Sequence, residues 1–545
     1  MPLKSNQRTP LLAVHSRPRR NNTTRCTSLW RPIGFVLWVV LAATVIIFLA
    51  RRDTRSLSLC LSDAGVSHVV EGSKDWNQRT SPWNIRVRYT PAAVAIPGSI
   101  EQAQAAVLCG INHQLRISAK GGGHSSGSYG FGGENGHLVI DFEQMDQVIL
   151  SDNHTAIIQP GARLGHVSVE LFNQGRRAIP HGTCPGVGIS GHVLHGGYGR
   201  ASRTHGLTLD WLKSAKVILS DGSVAHCSAT DNTDLFWAIR GAGSSFGIVT
   251  EFEFGTFRPP ENVTVFAIDM PWSESGVAES LKAVQSLSLT AREELNLAFD
   301  VTASSQSIRG LYFGDEHGLV QALQPLLINL KTQLSDIKSV DWLEGLEYFA
   351  EGEPLVHPQP YNVHTTTYTS SLTTPPLTDE QINALVSTLF TNINDTNARH
   401  SWDVLFELHG GPKSAVSQTD LAATSYAQRD KVLLWQLNAF GENGKLPRES
   451  FVFLRQITDS VTQSMADGDW GMYANSIDTQ LDGNTAQKLY WGDNLPRLRK
   501  IKARLDPSNV FWNPQVLGQK EILSDKDNST RPLLAANMYI ALQNV

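Results

Sequence analysis

Apolar and polar residues alternate over Leu115–Lys120, and the alternation runs straight into three glycines, which predicts a strand that delivers a loop. Before it, Thr90–Pro97 reads as extended chain, and Ser99 is placed to cap a helix through Asn112. Short strands are expected over Leu138–Phe142, Gln147–Leu150 and Ala156–Gln159, with a helix over Leu164–Asn173. Trp211–Ser220, the turn Asp221-Gly222 and Ser223–His226 carry a hairpin signature. Asp231–Arg240 has helical spacing and Phe246–Phe257 alternates as a long strand. Mixed helices and short strands of this kind predict an α+β fold.

Pro259-Pro260 ends that pattern. From 261 to 468 longer helices are expected (Gly276–Leu289, His317–Leu330, Asp379–Phe390, Glu449–Met465), separated by alternating strands. The last stretch regains aromatic and glycine motifs and closes on a basic helix over Leu495–Leu505. The expected organisation is a body at 60–260, a second α+β unit at 261–468, a closing segment at 469–520 and a tail at 521–545.

Hydropathy adds one element at the start. Ile33–Ala50 holds eighteen residues without a charge, near the minimum for a membrane-spanning helix. Seven basic residues precede it, so residues 1–32 are expected to stay cytoplasmic, with 33–50 as a single-pass anchor and the body lumenal or extracellular. Secretion after signal cleavage is the alternative. Asn153, Asn262, Asn394 and Asn528 are glycosylation acceptors by sequence, which agrees with that placement.

The 545-residue chain is long enough for several domains, and its 41% hydrophobic content is that of a folded protein. All 51 acidic residues lie after residue 52, so the body is acidic and nucleic acid is not an expected partner. Five cysteines, with no clustered Cys/His pattern, predict no metal site. Cys60 and Cys109 are able to form one bridge.

Chemistry concentrates in two glycine-rich loops. One holds His124 in Lys120-Gly-Gly-Gly-His-Ser125, the other Cys184 in His181-Gly-Thr-Cys-Pro-Gly-Val-Gly-Ile-Ser-Gly-His192. Taken singly, each loop reads as a tight turn, His124 as a hydrogen-bonded loop histidine and Cys184 as an inert thiol. Together they offer many backbone donors for a pyrophosphate and two residues able to bond covalently to a cofactor. Gly186–Gly191 also fits the dinucleotide fingerprint, but no apolar strand precedes it. Gly243-Ser-Ser-Phe-Gly247 fits the hydrolase elbow in the wrong order, helix before strand, which excludes a serine hydrolase.

The runs Lys120–Gly133, His181–His192, Asp234–Val249, Trp491–Leu498 and Asp506–Gln515 together resemble the berberine-bridge-enzyme-like branch of FAD-linked oxidases, and within it the glucooligosaccharide oxidases. The resemblance implies a two-part FAD-binding domain of the vanillyl-alcohol-oxidase/p-cresol-methylhydroxylase type with an inserted α+β substrate domain. It implies bicovalent FAD, joined at its 8α carbon to His124 and at C6 to Cys184. Gly121, Gly122, Gly123 and Ser125 would hold the pyrophosphate, and Gly188, His192, Ile248, Val249 and Asn494 would line the rest. A Cys60–Cys109 bridge matches a family position, and Gln436 a substrate contact. The implied reaction takes a hydride from a small-molecule substrate and passes the electrons to O2.

The resemblance fails at one point. Family sugar oxidases use a Tyr in a Tyr-X-Asn-Tyr run as base, assisted by an Asp ahead of His-Gly-Gly. Here those stretches read Tyr473-Ala-Asn-Ser476 and Glu407-Leu-His-Gly-Gly411, and Ser126 stands where the family has a further Tyr. A lone hydroxyl is too weak an acid to ionise and serve as base, so among the catalytic candidates Ser476 needs a partner, and Glu407 or Tyr490 is the expected base. The changed pocket favours a secondary-metabolite alcohol as substrate. The alternatives are an oligosaccharide, or a non-redox isomerisation or cyclisation on bound flavin. Trp402 and Trp435 would wall the site as apolar surfaces or as sugar platforms.

Overall fold

A computed structural model describes residues 56–394 and 401–518, and within them sixteen strands form three sheets. The first has β1 (Ser67–Val69), β2 (Ala93–Ile96), β3 (Ile117–Lys120) and β4 (Leu138–Asp141) in the order β1-β2-β4-β3. Helix Ile100–Asn112 connects β2 to β3, and both run parallel to β4 between them. Its start is fixed as expected, with the Ser99 side chain accepting a hydrogen bond from the Gln102 amide. Parallel pairing makes this a βαβ unit, which the short alternating runs did not reveal. Cys60, in a helix over 56–63, is disulfide-bonded to Cys109 of Ile100–Asn112.

The second sheet has β5 (Val148–Leu150), β6 (Thr155–Ile158), β7 (Leu212–Ile218), β8 (Val224–Ser228) and β9 (Ile248–Gly255) in the order β5-β6-β9-β7-β8, all antiparallel. The expected hairpin is β7–β8, and the long strand is β9, two residues shorter at each end, with Phe246 in helical backbone where it caps the 3-10 turn Gly243–Ser245.

The third sheet is antiparallel and seven-stranded: β10 (Val263–Met270), β11 (Leu295–Thr302), β12 (Gln306–Tyr312), β13 (Asp336–Val340), β14 (Thr367–Thr374), β15 (Ser401–Leu408) and β16 (Leu433–Phe440), ordered β13-β10-β12-β11-β15-β16-β14. Period-2 alternation gives it two unlike faces. Phe299, Val301, Trp402, Val404, Phe406, Trp435 and Leu437 are buried on one face. Helices Glu274–Ser288, Asp379–Asn394 and Arg448–Thr462 cover that side, with the Trp402 and Phe453 rings 5.1 Å apart. Trp402 and Trp435 are thus core residues and not substrate walls. Each such fully buried large side chain stabilises the fold by about 1.5–3 kcal/mol. The other face is polar and bears on the site.

The expected membrane anchor is corrected. The run 33–50 lies outside the described residues, and among those described no helix is long and apolar enough to cross a membrane. Hydropathy alone carried that expectation, over a stretch at the lower length limit for a span. Neither a transmembrane element of the fold, nor a membrane partner, nor a single-pass placement is retained. Asn153 and Asn262 are exposed, whereas Asn528 and the side chain of Asn394 lie outside the described residues.

Candidate functional site

β3 feeds the His124 loop, and its last residue is anchored from below by a 2.8 Å ion pair between Lys120 and Asp141 of β4. The loop then packs backbone to backbone against the Cys184 loop. A Cβ on Gly122 would lie 2.3 Å from the Gly188 nitrogen, and one on Gly188 would lie 2.2 Å from the Gly122 nitrogen. Only glycine permits this approach, so the two loops form one continuous surface. His124 stacks on Trp83 with ring centroids 4.0 Å apart. Burial, reinforced by the nearby Arg163 charge, pushes its imidazole down to about 3. His124 is therefore held neutral at physiological pH.

Cys184 is the one exposed free thiol among the described residues. The protein packed around it, with Glu351 and Glu353 nearby, pushes its pKa up to about 11. His192 follows on the helix Ile189–Leu194, where its Nε2 accepts from the Gly182 amide at 2.9 Å and burial keeps it neutral.

Between the loops lies Arg163, at the start of helix Leu164–Gly175. Its Nη1 donates to the carbonyl of Gly122 at 2.8 Å and to the carbonyl of Gly186. The Tyr361 ring covers its guanidinium at 3.7 Å. Arg163 Nε and the Tyr361 hydroxyl are buried and have no hydrogen-bond partner.

The polar face of the seven-stranded sheet meets these loops, where Thr369 Oγ1 donates to Ser126 Oγ at 2.7 Å. Cross-strand register assembles Ala298, Glu407 and Leu434 in one row, Asp300, Leu405, Gln436 and Ser371 in the next, and Thr302, Asp403, Asn438 and Thr369 in the third. Glu407 is 4% exposed and ion-paired with Arg200. Burial raises its pKa and Arg200 opposes the rise. Asp403 accepts from Asn438 Nδ2 at 2.7 Å and is pushed up to about 7, chiefly by burial.

The other expected residues divide. Ser125 Oγ accepts from the Tyr129 amide inside the first loop. Ile248 and Val249 are buried at the start of β9, paired with Ile218 and Val217. Asn494 donates to the Ser425 carbonyl at 3.2 Å. The Tyr490 phenol is enclosed, donating to Gln515 Oε1 at 3.1 Å and accepting from the Asp478 amide. The Ser476 amide donates to the Tyr473 carbonyl, but its hydroxyl has no protein partner among the described residues.

Sequence reasoning passed over four residues: Arg163, Arg200, Tyr361 and Tyr473. Tyr473 Oη accepts 3.0 Å hydrogen bonds from the amides of Gly197 and Tyr198 and from Asn475 Nδ2. The available signal was an arginine in Gly161-Ala-Arg-Leu164 and another in Tyr198-Gly-Arg200, charged residues inside otherwise apolar or glycine-rich runs.

A tight two-loop cradle, a neutral imidazole, an accessible thiol and an unpaired buried guanidinium N–H together form a donor set that fits a covalently held flavin dinucleotide. Comparison with known proteins agrees. The family model "FAD binding domain" matches residues 91–228, and "Berberine and berberine like" matches 472–517. The chain is 45% identical to FAD-linked oxidoreductase dpmaF of Metarhizium anisopliae, over 86% of this chain and 92% of that one. It is 42% identical to a chitooligosaccharide oxidase of Gibberella zeae, over 85% and 95%. A solved structure of Acremonium strictum glucooligosaccharide oxidase, described with a 6-S-cysteinyl, 8α-N1-histidyl FAD, superposes with TM-score 0.82 at 42% identity, covering 85% of this chain and 99% of that one. The chain therefore belongs to the berberine-bridge-enzyme-like family of FAD-dependent oxidoreductases, together with the fungal oligosaccharide oxidases.

Proposed function

We propose that this enzyme oxidises a hydroxyl-bearing carbon of a carbohydrate, with FAD held by His124 and Cys184. The observation that carries this reading is the polar sheet face opposite the two loops. Glu407, Gln436, Asp403, Asn438 and Asp300 lie there in adjacent rows. A polyhydroxylated ring meets the hydrogen-bonding capacity that remains beyond the Glu407–Arg200 and Asp403–Asn438 pairs, whereas an apolar alcohol would displace water there without replacing it. The names of the chitooligosaccharide and glucooligosaccharide oxidases support the same class, and the secondary-metabolite alcohol becomes the weaker reading.

Bound flavin supplies a two-electron acceptor that returns its electrons to O2 as hydrogen peroxide. The chain's own task is the proton. Glu407 takes it from the substrate hydroxyl as the adjacent C–H bond gives up its hydride, and Arg200 holds the carboxylate in place. Ser476, with a free hydroxyl where the family carries a phenol, contributes a hydrogen bond to the substrate and not a base. At an anomeric carbon the product is a lactone.

The test is anaerobic mixing with chito-, cello- and xylo-oligosaccharides and with lipophilic alcohols, following flavin absorbance. Bleaching by an oligosaccharide is expected. Bleaching by the alcohols alone would reverse the assignment, and turnover without bleaching would point to isomerisation.

A further inference from the structure

Arg163 is a buried cation with no carboxylate partner among the described residues. Such a group is costly to bury, and burial lowers its pKa. Its hydrogen bonds show what it does instead. Gly122 stands two residues before His124, and Gly186 two residues after Cys184. One guanidinium nitrogen, Nη1, donates to both carbonyls.

The main chain repeats the link. Arg163 bridges Gly188, Leu164 N donates to Val187 O, Gly165 N to Pro185 O, and Ile189 N to Ala162 O. Thus the Cys184 loop is fastened along the start of helix Leu164–Gly175, while the His124 loop is joined to it through the Arg163 side chain and the Gly122–Gly188 contact. Tyr361 completes the arrangement. It comes from the irregular segment between helix Trp342–Tyr348 and β14, covers the guanidinium at 3.7 Å, and lies 6.4 Å from the His124 ring, tilted 44° to it. Its hydroxyl sits beside Gly186, within 2.3 Å of where a Cβ there would fall.

We propose that Arg163, clamped by Tyr361, is the positioning residue that sets the spacing between the two flavin-attachment sites, so that one isoalloxazine ring can be joined to both. This rests on the bicovalent attachment proposed above. Each attachment forms one bond, N–C at the 8α carbon or S–C at C6. It removes the N–H or S–H hydrogen and one C–H hydrogen, which leave in total as two protons and two electrons, and these reduce O2 to H2O2. The second bond forms only if its nucleophile already lies at the correct distance when the first has fixed the ring. One nitrogen of a rigid guanidinium covered by the Tyr361 ring holds both carbonyls, and a lysine, a flexible point charge without the planar group that Tyr361 covers, reproduces this incompletely.

The test measures, by peptide mass spectrometry of the purified full chain, the fractions carrying FAD at the His124 peptide, the Cys184 peptide or both. Visible spectra and melting temperatures are recorded beside them. Wild type is expected to be doubly linked. Arg163→Met should lower the doubly linked fraction at least about fivefold while leaving one link, with an altered visible spectrum, and Arg163→Lys should be intermediate. Tyr361→Leu should lower the fraction, and Tyr361→Phe, which keeps the ring, should not. A purely structural role would reduce the yield of folded protein without changing the ratio of single to double links. Wild type lacking either link would overturn the attachment reading and the proposal with it. Wild type doubly linked, with folded Arg163→Lys and Tyr361→Leu retaining the wild-type ratio, would overturn the proposal alone. Those two variants decide the matter even if Arg163→Met does not fold.

Discussion

Glu407 of β15 and Arg200, which follows the helix Ile189–Leu194, form an ion pair that joins the sheet to the flavin loops. Burial raises the Glu407 pKa and Arg200 holds it back. A carboxylate base must be ionised, so activity is lost as pH falls through that raised pKa. Removing the cation in Arg200→Gln should move the acid limb of kcat/KM to higher pH by about 1–3 units. Glu407→Gln should lower kcat by about 10²–10⁴-fold and abolish the limb. An unmoved limb in Arg200→Gln would separate Arg200 from the base.

Asp403 titrates near neutrality. Burial pushes it up to about 7, and the hydrogen bond from Asn438 pulls the other way. The folded protein retains a proton there that the unfolded chain releases near pH 4. Stability contributed by that proton is complete below pH 4 and falls away as pH rises to about 7. Asp403→Asn should therefore raise the melting temperature relative to wild type more at pH 8 than at pH 4. Equal differences at both values would show that Asp403 does not titrate in this range.

The contact between Gly122 and Gly188 predicts sharply different alanine effects at two glycines of the paired loops. Gly122→Ala puts a methyl group 2.3 Å from backbone nitrogen, and no side-chain rotation relieves it. A loss of about 1–3 kcal/mol or more is expected, with reduced FAD content. Gly191, in the helix Ile189–Leu194, has nothing within 4 Å of its would-be Cβ and an ordinary backbone. Gly191→Ala should be neutral or stabilising by up to about 1 kcal/mol. Chemical denaturation and absorbance of protein-bound flavin measure both effects, and equal losses would mean that the loops are not in contact.

Local periodicity carried most of the elements. Ser99 and its helix, the β7–β8 hairpin and the helix Leu495–Leu505 follow from caps, turns and spacing that neighbouring residues determine. His124 and Cys184 stood out only as a pair, because two glycine-rich loops that each carry a potential nucleophile suit a tethered cofactor where one alone reads as a turn. The parallel pairing of β2, β4 and β3 was hidden, because it depends on a crossover and not on alternation. Arg163 was hidden for a related reason. Its partners Gly122 and Gly186 are 41 and 23 residues away and offer only backbone carbonyls, which have no residue identity to read. The irregular segment bearing Tyr361 has no periodicity at all. The apolar run at 33–50 shows the opposite case, where a strong local pattern invited more than hydropathy can establish.

Two buried tyrosines offer a contrast that tests the assignment of the base. Tyr473 Oη receives the Gly197 and Tyr198 amides, which would have no acceptor in Tyr473→Phe, at about 1–3 kcal/mol for each. Tyr490→Phe leaves Gln515 Oε1 without its donor and loses a longer contact at the Asp478 amide, 3.4 Å away. Tyr473→Phe should therefore lower the melting temperature more than Tyr490→Phe. Because the Tyr490 phenol spends its proton on Gln515, Tyr490→Phe should retain kcat within about threefold, where loss of a general base costs about 10²-fold or more. A hundredfold fall in kcat, with the fold and flavin content unchanged, would transfer the proton-accepting role from Glu407 to Tyr490.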